Sequence, residues 1–219
     1  MACWSAENAT KAYLRTLKMG QRAKEPDVTE FISALAAGNS AQLMVVACAN
    51  AATSTTLALL AAADQTGGRV VCILRGIEEL HLSKQVLGHD ASHVEFVIGE
   101  AQTLLANDYK EADFVLIDCN LANHEGILRA LQAGGKRNGA VVVGYNAFCK
   151  GSSWQWSGSK THLLPIGAGL LVTRIAANAK IGNAGGFTKR SQWIVKVDKC
   201  TGEEHVFRVR FPQGKQLEA

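Results

Sequence analysis

Hydrophobic residues near the N-terminus recur at helical spacing. The run Asp27-Val-Thr-Glu30 has the cap-x-x-Glu form that opens helices, and the apolar positions from Val28 to Ala36 continue it. An earlier helix is predicted from Ser5 to Lys18, because a serine can cap its first turn and a lysine suits its last turn. Two amphipathic helices are therefore expected at the start of the chain.

From residue 42 the pattern changes to short, continuous apolar runs separated by helical stretches. Such runs are typical of a parallel sheet that helices cover on both faces, because each strand then has both faces buried. The runs are Leu43 to Cys48, Arg69 to Leu74, Val94 to Ile98, Asp113 to Asp118 and Ala140 to Gly144. The sequence therefore predicts an α/β fold with a doubly wound, Rossmann-like sheet.

Two hairpins are predicted after these runs. Thr161 to Pro165 and Leu170 to Ile175 are spaced as a pair of antiparallel strands, which would complete the sheet. Gln192 to Asp198 and His205 to Phe211 flank a short turn, and the second of them alternates apolar with basic residues. We expect the fold to be mostly parallel, with an antiparallel end strand and a C-terminal β-hairpin.

Length and composition favour one globular domain. The chain has 219 residues, of which 47% are hydrophobic and 19% charged. We expect a single domain over 1–219, with N-terminal helices at 1–38, a core at 39–176 and a basic extension at 177–219. The sequence shows neither a membrane-length apolar run nor a signal or transit pattern, so we expect an intracellular, cytoplasmic protein without a membrane partner; a nuclear location stays open.

Asp118 closes the fourth apolar run. In open α/β sheets, ligands bind in the crevice at the carboxyl ends of the strands. This position makes Asp118 the best candidate for a catalytic residue. A structural interpretation is equally open, since an acid at a strand end can also cap the helix that follows.

Several segments between about Glu25 and Ile175 share the order and spacing of a known family. They are Pro26-Asp-Val-Thr-Glu-Phe31, Thr56-Leu-Ala-Leu59, Gly68-Arg-Val-Val-Cys-Ile73, Val97-Ile-Gly-Glu-Ala-Gln102, Phe114-Val-Leu-Ile-Asp118, Val143-Gly-Tyr-Asn146 and Leu164-Pro-Ile-Gly-Ala-Gly169. Together they resemble the class I S-adenosylmethionine (SAM)-dependent methyltransferases, in particular the caffeoyl-CoA and catechol O-methyltransferase branch. The start of the chain, from Trp4 to Leu14, also resembles a plant family of methyltransferase relatives.

The resemblance implies a Rossmann-like fold, a small-molecule ligand, SAM as the cofactor and often a homodimer. It places the cofactor-binding positions at Ala49, Thr53, Leu74, Arg75, Gly99, Glu100, Ala101, Gln102 and Asp118. The glycines of the family's first turn have become Ala49 and Thr53. The acid that binds the ribose hydroxyls falls on Leu74, whose side chain cannot accept hydrogen bonds. The stretch from Gly99 to Gln102 matches the family's pattern near the adenine pocket more closely.

The same family holds a divalent cation with an Asp after the fourth strand and an Asp-Asn pair after the fifth. Here Asp118 matches the first ligand, but the pair reads Asn146-Ala147, and Leu121 replaces the family's lysine base. A hard cation prefers several oxygens, so we expect no divalent metal. His89 and His93 are spaced i to i+4, but the glycine, aspartate and serine around them indicate a loop, which disfavours a metal site there as well.

Basic and aromatic residues leave further alternatives open. Arg75 lies where open α/β folds meet a ribose phosphate, although a plain surface arginine is the simpler interpretation. The formal net charge of +4 comes from the C-terminal extension, where Lys196, Arg208 and Arg210 form either a solvated face or a site for an acidic or phosphate-bearing partner. Of Trp154 and Trp156, we expect one to act as a lid or stacking platform for a planar ligand and the other to pack onto the domain.

Two functional hypotheses follow. The first is a SAM-dependent methyltransferase-like protein of the O-methyl type with degenerate cofactor and metal motifs, in which Asp118 orients or catalyses. The second is a non-catalytic Rossmann-fold binding protein, a pseudoenzyme that engages a phosphorylated nucleotide or a protein partner. Leu74, Leu121 and Ala147 favour the second hypothesis, because each replaces a functional group of the family by an inert one.

Overall fold

The structure is a computed structural model, and it describes residues 4–19, 27–133, 139–148, 161–176, 191–197 and 204–210. The chain divides into two compact units, residues 1–179 and 180–219, each of which is taken by itself. The expectation of a single domain stays a prediction. Trp154 and Trp156 lie outside the described residues. Within the described part of the chain, no helix is both long and apolar enough to cross a membrane.

The first unit begins with two helices, α1 (Ala6–Met19) and α2 (Val28–Gly38). The predicted cap of α2 is confirmed, because Glu30 Oε2 accepts a hydrogen bond from the Asp27 backbone N–H at 2.8 Å and the Asp27 carboxylate accepts one from Val28 N–H at 2.6 Å. The Ser5 N–H donates to the Gly38 carbonyl at 2.8 Å. This bond ties the start of α1 to the end of α2.

Seven strands of this unit form one sheet. They are β1 (Leu43–Ala47), β2 (Arg69–Leu74), β3 (Val94–Ile98), β4 (Phe114–Asp118), β5 (Ala140–Tyr145), β6 (Thr161–Leu164) and β7 (Leu170–Ile175). Their order across the sheet is β3-β2-β1-β4-β5-β7-β6. The first five strands are parallel, and β7 runs antiparallel to both of its neighbours. The predicted Rossmann-like sheet with an antiparallel end is confirmed.

Helices connect the parallel strands and cover both faces. They are α3 (Ser54–Thr66), α4 (Ile77–Leu87), a short 3-10 helix η1 (Gly88–His93), α5 (Ala101–Asn107) and α6 (His124–Ala133). On β1, Met44 and Val46 pack in one hydrophobic cluster with α2 and α3, whereas Val45 and Ala47 pack in the other with α5 and α6. Both faces of β1 are therefore buried, which explains its continuous apolar sequence.

The second unit contains a hairpin of β8 (Ser191–Val197) and β9 (Glu204–Arg210). The two strands pair antiparallel, with Ile194 opposite Phe207. The predicted C-terminal hairpin is thus confirmed, while its acidic or phosphate-bearing partner stays a prediction.

Candidate functional site

A cavity opens at the carboxyl ends of the parallel strands. Because β1 to β4 are parallel neighbours, the loops that leave them meet at one edge of the sheet. The cavity has a volume of about 440 Å³ and is lined by Cys48, Ile73, Leu74, Arg75, Gly99, Glu100, Ala101, Leu121, Ala122, Asn123 and Ile127. Cavities of this size hold small-molecule ligands in other proteins.

The end of β2 gives the cavity an apolar wall and a cation. Leu74 lines the cavity and is fully buried, and its hydrocarbon side chain supplies no acceptor at the position of the ribose anchor in the resembled family. Arg75, the next residue, is exposed and lines the cavity. No carboxylate among the described residues forms an ion pair with Arg75. Its guanidinium is thus available to an anionic group of a ligand.

The loop after β3 brings three of the predicted cofactor residues to the cavity: Gly99, Glu100 and Ala101. Glu100 caps α5, since its Oε2 accepts a hydrogen bond from the Thr103 N–H at 2.9 Å. The fourth predicted residue, Gln102, is not one of the lining residues. Its Oε1 instead accepts from Asn123 Nδ2 at 2.6 Å, which links α5 to the loop before α6.

The loop after β1 contributes one residue to the cavity lining, and this residue was not among the predicted site residues. Cys48 lines the cavity, whereas the predicted positions Ala49 and Thr53 do not. Thr53 is the N-cap residue of α3 but makes no side-chain capping bond. The Ala52 N–H donates to Ser83 Oγ at 2.8 Å, which fastens the loop to α4. No signal in the sequence distinguished Cys48 from an ordinary buried cysteine.

Asp118 is buried at the end of β4 and is not a lining residue of the cavity. Its Oδ1 accepts hydrogen bonds from the Asn120 N–H and from Asn146 Nδ2, both at 3.0 Å. Its Oδ2 accepts a longer bond, of 3.4 Å, from the Ala49 N–H. The carboxylate therefore joins the turns that follow β1, β4 and β5. Its catalytic role stays a prediction.

These contacts also test the fit of a divalent cation at Asp118. Both carboxylate oxygens are engaged by N–H donors, and the amide of Asn146 presents its nitrogen rather than its oxygen to the carboxylate. Ala147, which follows, offers no side-chain ligand and is buried. Residues arranged in this way do not fit a hard cation, which needs several oxygen ligands.

A buried polar cluster of Tyr145, Cys48 and Cys72 lies beside Asp118. Burial, followed by the proximity of Cys48 and Asp118, raises the pKa of Tyr145 well above its ordinary value. The Sγ atoms of Cys48 and Cys72 are 3.6 Å apart. Their hydrogen bond, followed by burial, raises the pKa of the Cys72 thiol. The Tyr145 hydroxyl and the Cys72 thiol are therefore neutral at physiological pH. The apolar strand sequences around them gave no hint of the cluster.

The sheet order is that of the Rossmann-like methyltransferase fold, and solved structures share it. A structure from Staphylococcus aureus that is provisionally assigned as a caffeoyl-CoA O-methyltransferase is 16% identical, with a TM-score of 0.54 over 78% of this chain and 93% of that one. The O-methyltransferase of Bacillus cereus, in complex with SAH, is 14% identical, with a TM-score of 0.51 over 78% and 92% of the two chains. TomG of Streptomyces achromogenes, an O-methyltransferase in complex with SAM, is 16% identical, with a TM-score of 0.52 over 81% and 93%.

The chain belongs to the family described as "Protein of unknown function (DUF1442)", whose model matches residues 1–209. No curated protein matches the sequence. The likeness to the solved structures shows the fold alone, and the predicted plant family stays a prediction.

Proposed function

We propose that this protein binds SAM or its product SAH in the cavity at the carboxyl ends of β1 to β4, without metal-assisted methyl transfer. The cavity carries the proposal, because Leu74, Gly99, Glu100 and Ala101 surround it. These are positions at which the resembled family binds its cofactor. The Bacillus and Streptomyces structures, which share the fold, were solved with SAH and SAM.

The described lining combines apolar residues with two charged side chains, Arg75 and Glu100. Ile73, Leu74 and Ile127 are almost fully buried and form the apolar backing of the cavity. Among the lining residues that the structure describes, Glu100 is the only carboxylate. We therefore assign to Glu100 the acceptor role toward the ribose hydroxyls that Leu74 cannot fill. We do not expect metal-assisted methyl transfer, because the groups around Asp118 do not fit a divalent cation.

Calorimetric titration with SAH and SAM tests this proposal. Ala122 lines the cavity on an exposed turn, so Ala122→Trp should obstruct the cavity without disturbing the core. Ala106, exposed on α5 and outside the lining, provides the control Ala106→Trp. We expect binding by the unmodified protein and by Ala106→Trp, and at least a tenfold loss in Ala122→Trp. Absence of binding to the unmodified protein, or equal affinity in both variants, would contradict the proposal.

Arg75 favours a second candidate, a phosphorylated nucleotide bound without catalysis. An arginine that lines a cavity at the end of the second strand and has no carboxylate partner among the described residues can pair with a phosphate on a ribose. Titration with adenosine 2′-phosphate and with adenosine separates the two candidates. A preference for the phosphorylated form that Arg75→Ala abolishes would support this function. Arg129→Ala, at an exposed arginine of α6, is the matched control.

A further inference from the structure

Three side chains that can bind a transition metal meet on η1, outside the lining of the cavity. The potential ligand atoms of His89, Asp90 and His93 all lie within 4.8 Å of one another. The centroids of the two imidazole rings are 5.8 Å apart, and the rings are tilted by 49°. The sequence predicted a loop here, and the 3-10 turn is what brings the three groups together.

The backbone of η1 accounts for this arrangement. In a 3-10 helix, residues three apart lie on the same face, so Asp90 and His93 point to one side. The 3-10 turn begins at Gly88, whose positive φ of +56° terminates α4. It ends before Val94, the first residue of β3. The ligand groups therefore sit on a short segment held between a helix and a strand.

Hydrogen bonds around Ser92 leave a lone pair of His93 available to a metal. The hydroxyl of Ser92 donates to the His89 carbonyl at 2.8 Å, which uses its single proton. Ser92 Oγ is also 3.3 Å from His93 Nδ1, and because the hydroxyl proton is used elsewhere, this contact suits the tautomer in which Nδ1 donates. In that tautomer, Nε2 carries a free lone pair. A histidine whose Nδ1 is held in this way is the usual form of a metal ligand.

We propose that His89, Asp90 and His93 form a binding site for Zn²⁺, with Nε2 of His93 as one ligand. Two imidazoles and one carboxylate are a donor set that zinc accepts, and three protein ligands leave a coordination position for water. Both histidines are exposed and Asp90 is partly exposed, so a metal reaches them from solvent. Mg²⁺ prefers oxygen ligands and should not compete.

Calorimetric titration with zinc chloride in a buffer free of chelators tests the site. The variant His89→Ala/His93→Ala removes both imidazoles, and His81→Ala, at an exposed histidine of α4, is the matched control. We expect one equivalent of Zn²⁺ to bind the unmodified protein and the control. The double variant should lose at least about tenfold in affinity for Zn²⁺. Mutation of a residue that only hydrogen-bonds to a metal ligand already lowers metal affinity by about that factor.

A thermal-unfolding series gives a second readout. Zn²⁺ should raise the Tm of the unmodified protein and of His81→Ala, because a ligand that binds only the folded state stabilises it, and it should leave the double variant unchanged. Mg²⁺ should raise none of them. Absence of Zn²⁺ binding to the unmodified protein would overturn the proposal. Equal affinity in the double variant would overturn it as well, because the metal would then bind elsewhere, for example at cysteines.

Discussion

Replacing Asp118 by alanine should destabilise the ligand-free protein by about 2–4 kcal/mol. Two N–H donors lie 3.0 Å from its Oδ1, and a hydrogen bond to a charged acceptor contributes about 1.5–3 kcal/mol. Their sum, about 3–6 kcal/mol, is an upper bound, because the substitution also relieves the desolvation of a buried carboxylate. The third bond, at 3.4 Å, adds little.

Urea unfolding followed by circular dichroism measures this loss, and a thermal scan should show the Tm fall by roughly 4–16 °C for a chain of this length. Asp108→Ala, at an exposed aspartate that closes α5, is the control and should change little. Substitution of a catalytic residue often leaves the stability of the folded protein unchanged or even raises it. An Asp118→Ala protein as stable as the original would therefore refute the structural role.

A double-mutant cycle with Asn146 sharpens the test. Asn146 has a φ of +59°, so Asn146→Gly removes its amide donor without backbone strain. If the carboxylate and the amide stabilise each other, their coupling energy should be about 0.5–3 kcal/mol. Strict additivity of the two changes would show that the bond between them contributes nothing to folding.

Further changes test other parts of the fold. Burial, followed by a hydrogen bond to Glu95, raises the pKa of Tyr109 to about 12. Between about pH 10 and 12 the folded protein keeps a proton that the unfolded chain releases, so the free energy of unfolding falls as pH rises. Tyr109→Phe should make this decline shallower, as measured by urea unfolding at successive pH values. Asp27→Ala removes a helix cap and should cost about 0.5–2 kcal/mol by urea unfolding. Gly68→Ala would bring a Cβ within 2.6 Å of the Ala41 carbonyl oxygen, and should cost about 1–3 kcal/mol by the same assay.

The strands of the sheet could be predicted from the sequence because burial on both faces leaves an unambiguous pattern. The predicted and observed bounds agree at Arg69–Leu74 and Val94–Ile98, and β5 extends one residue further, to Tyr145. Segment η1 was missed because glycine, aspartate and serine favour loops and short 3-10 turns alike. Sequence composition thus predicts a buried strand well, because burial requires apolar residues, but it predicts an exposed short turn such as η1 poorly.

The contacts of the candidate site could not be predicted in the same way. The partners of Asp118 include Ala49 and Asn146, which are 69 and 28 residues away along the chain. Nothing in local sequence says that the three turns would meet at one carboxylate. The resemblance singled out Leu74, Gly99, Glu100 and Ala101, and these residues line the cavity because parallel strand ends converge on one edge. Their role in cofactor binding stays a prediction.

The contacts of Asp118 support a structural role that does not depend on catalysis. In the resembled family the turn after the first strand is glycine-rich, whereas here it carries Ala49, and the N–H of Ala49 faces the Asp118 carboxylate. The same carboxylate binds the Asn120 N–H and the amide of Asn146, so its loss would release three turns, of which those after β1 and β4 form part of the rim of the cavity. We therefore expect changes at Asp118 to weaken ligand binding indirectly, by loosening that rim. The temperature dependence of SAH affinity in Asp118→Asn should reveal this, since a loosened rim loses affinity most steeply near the Tm of the variant, whereas a lost contact lowers affinity at every temperature.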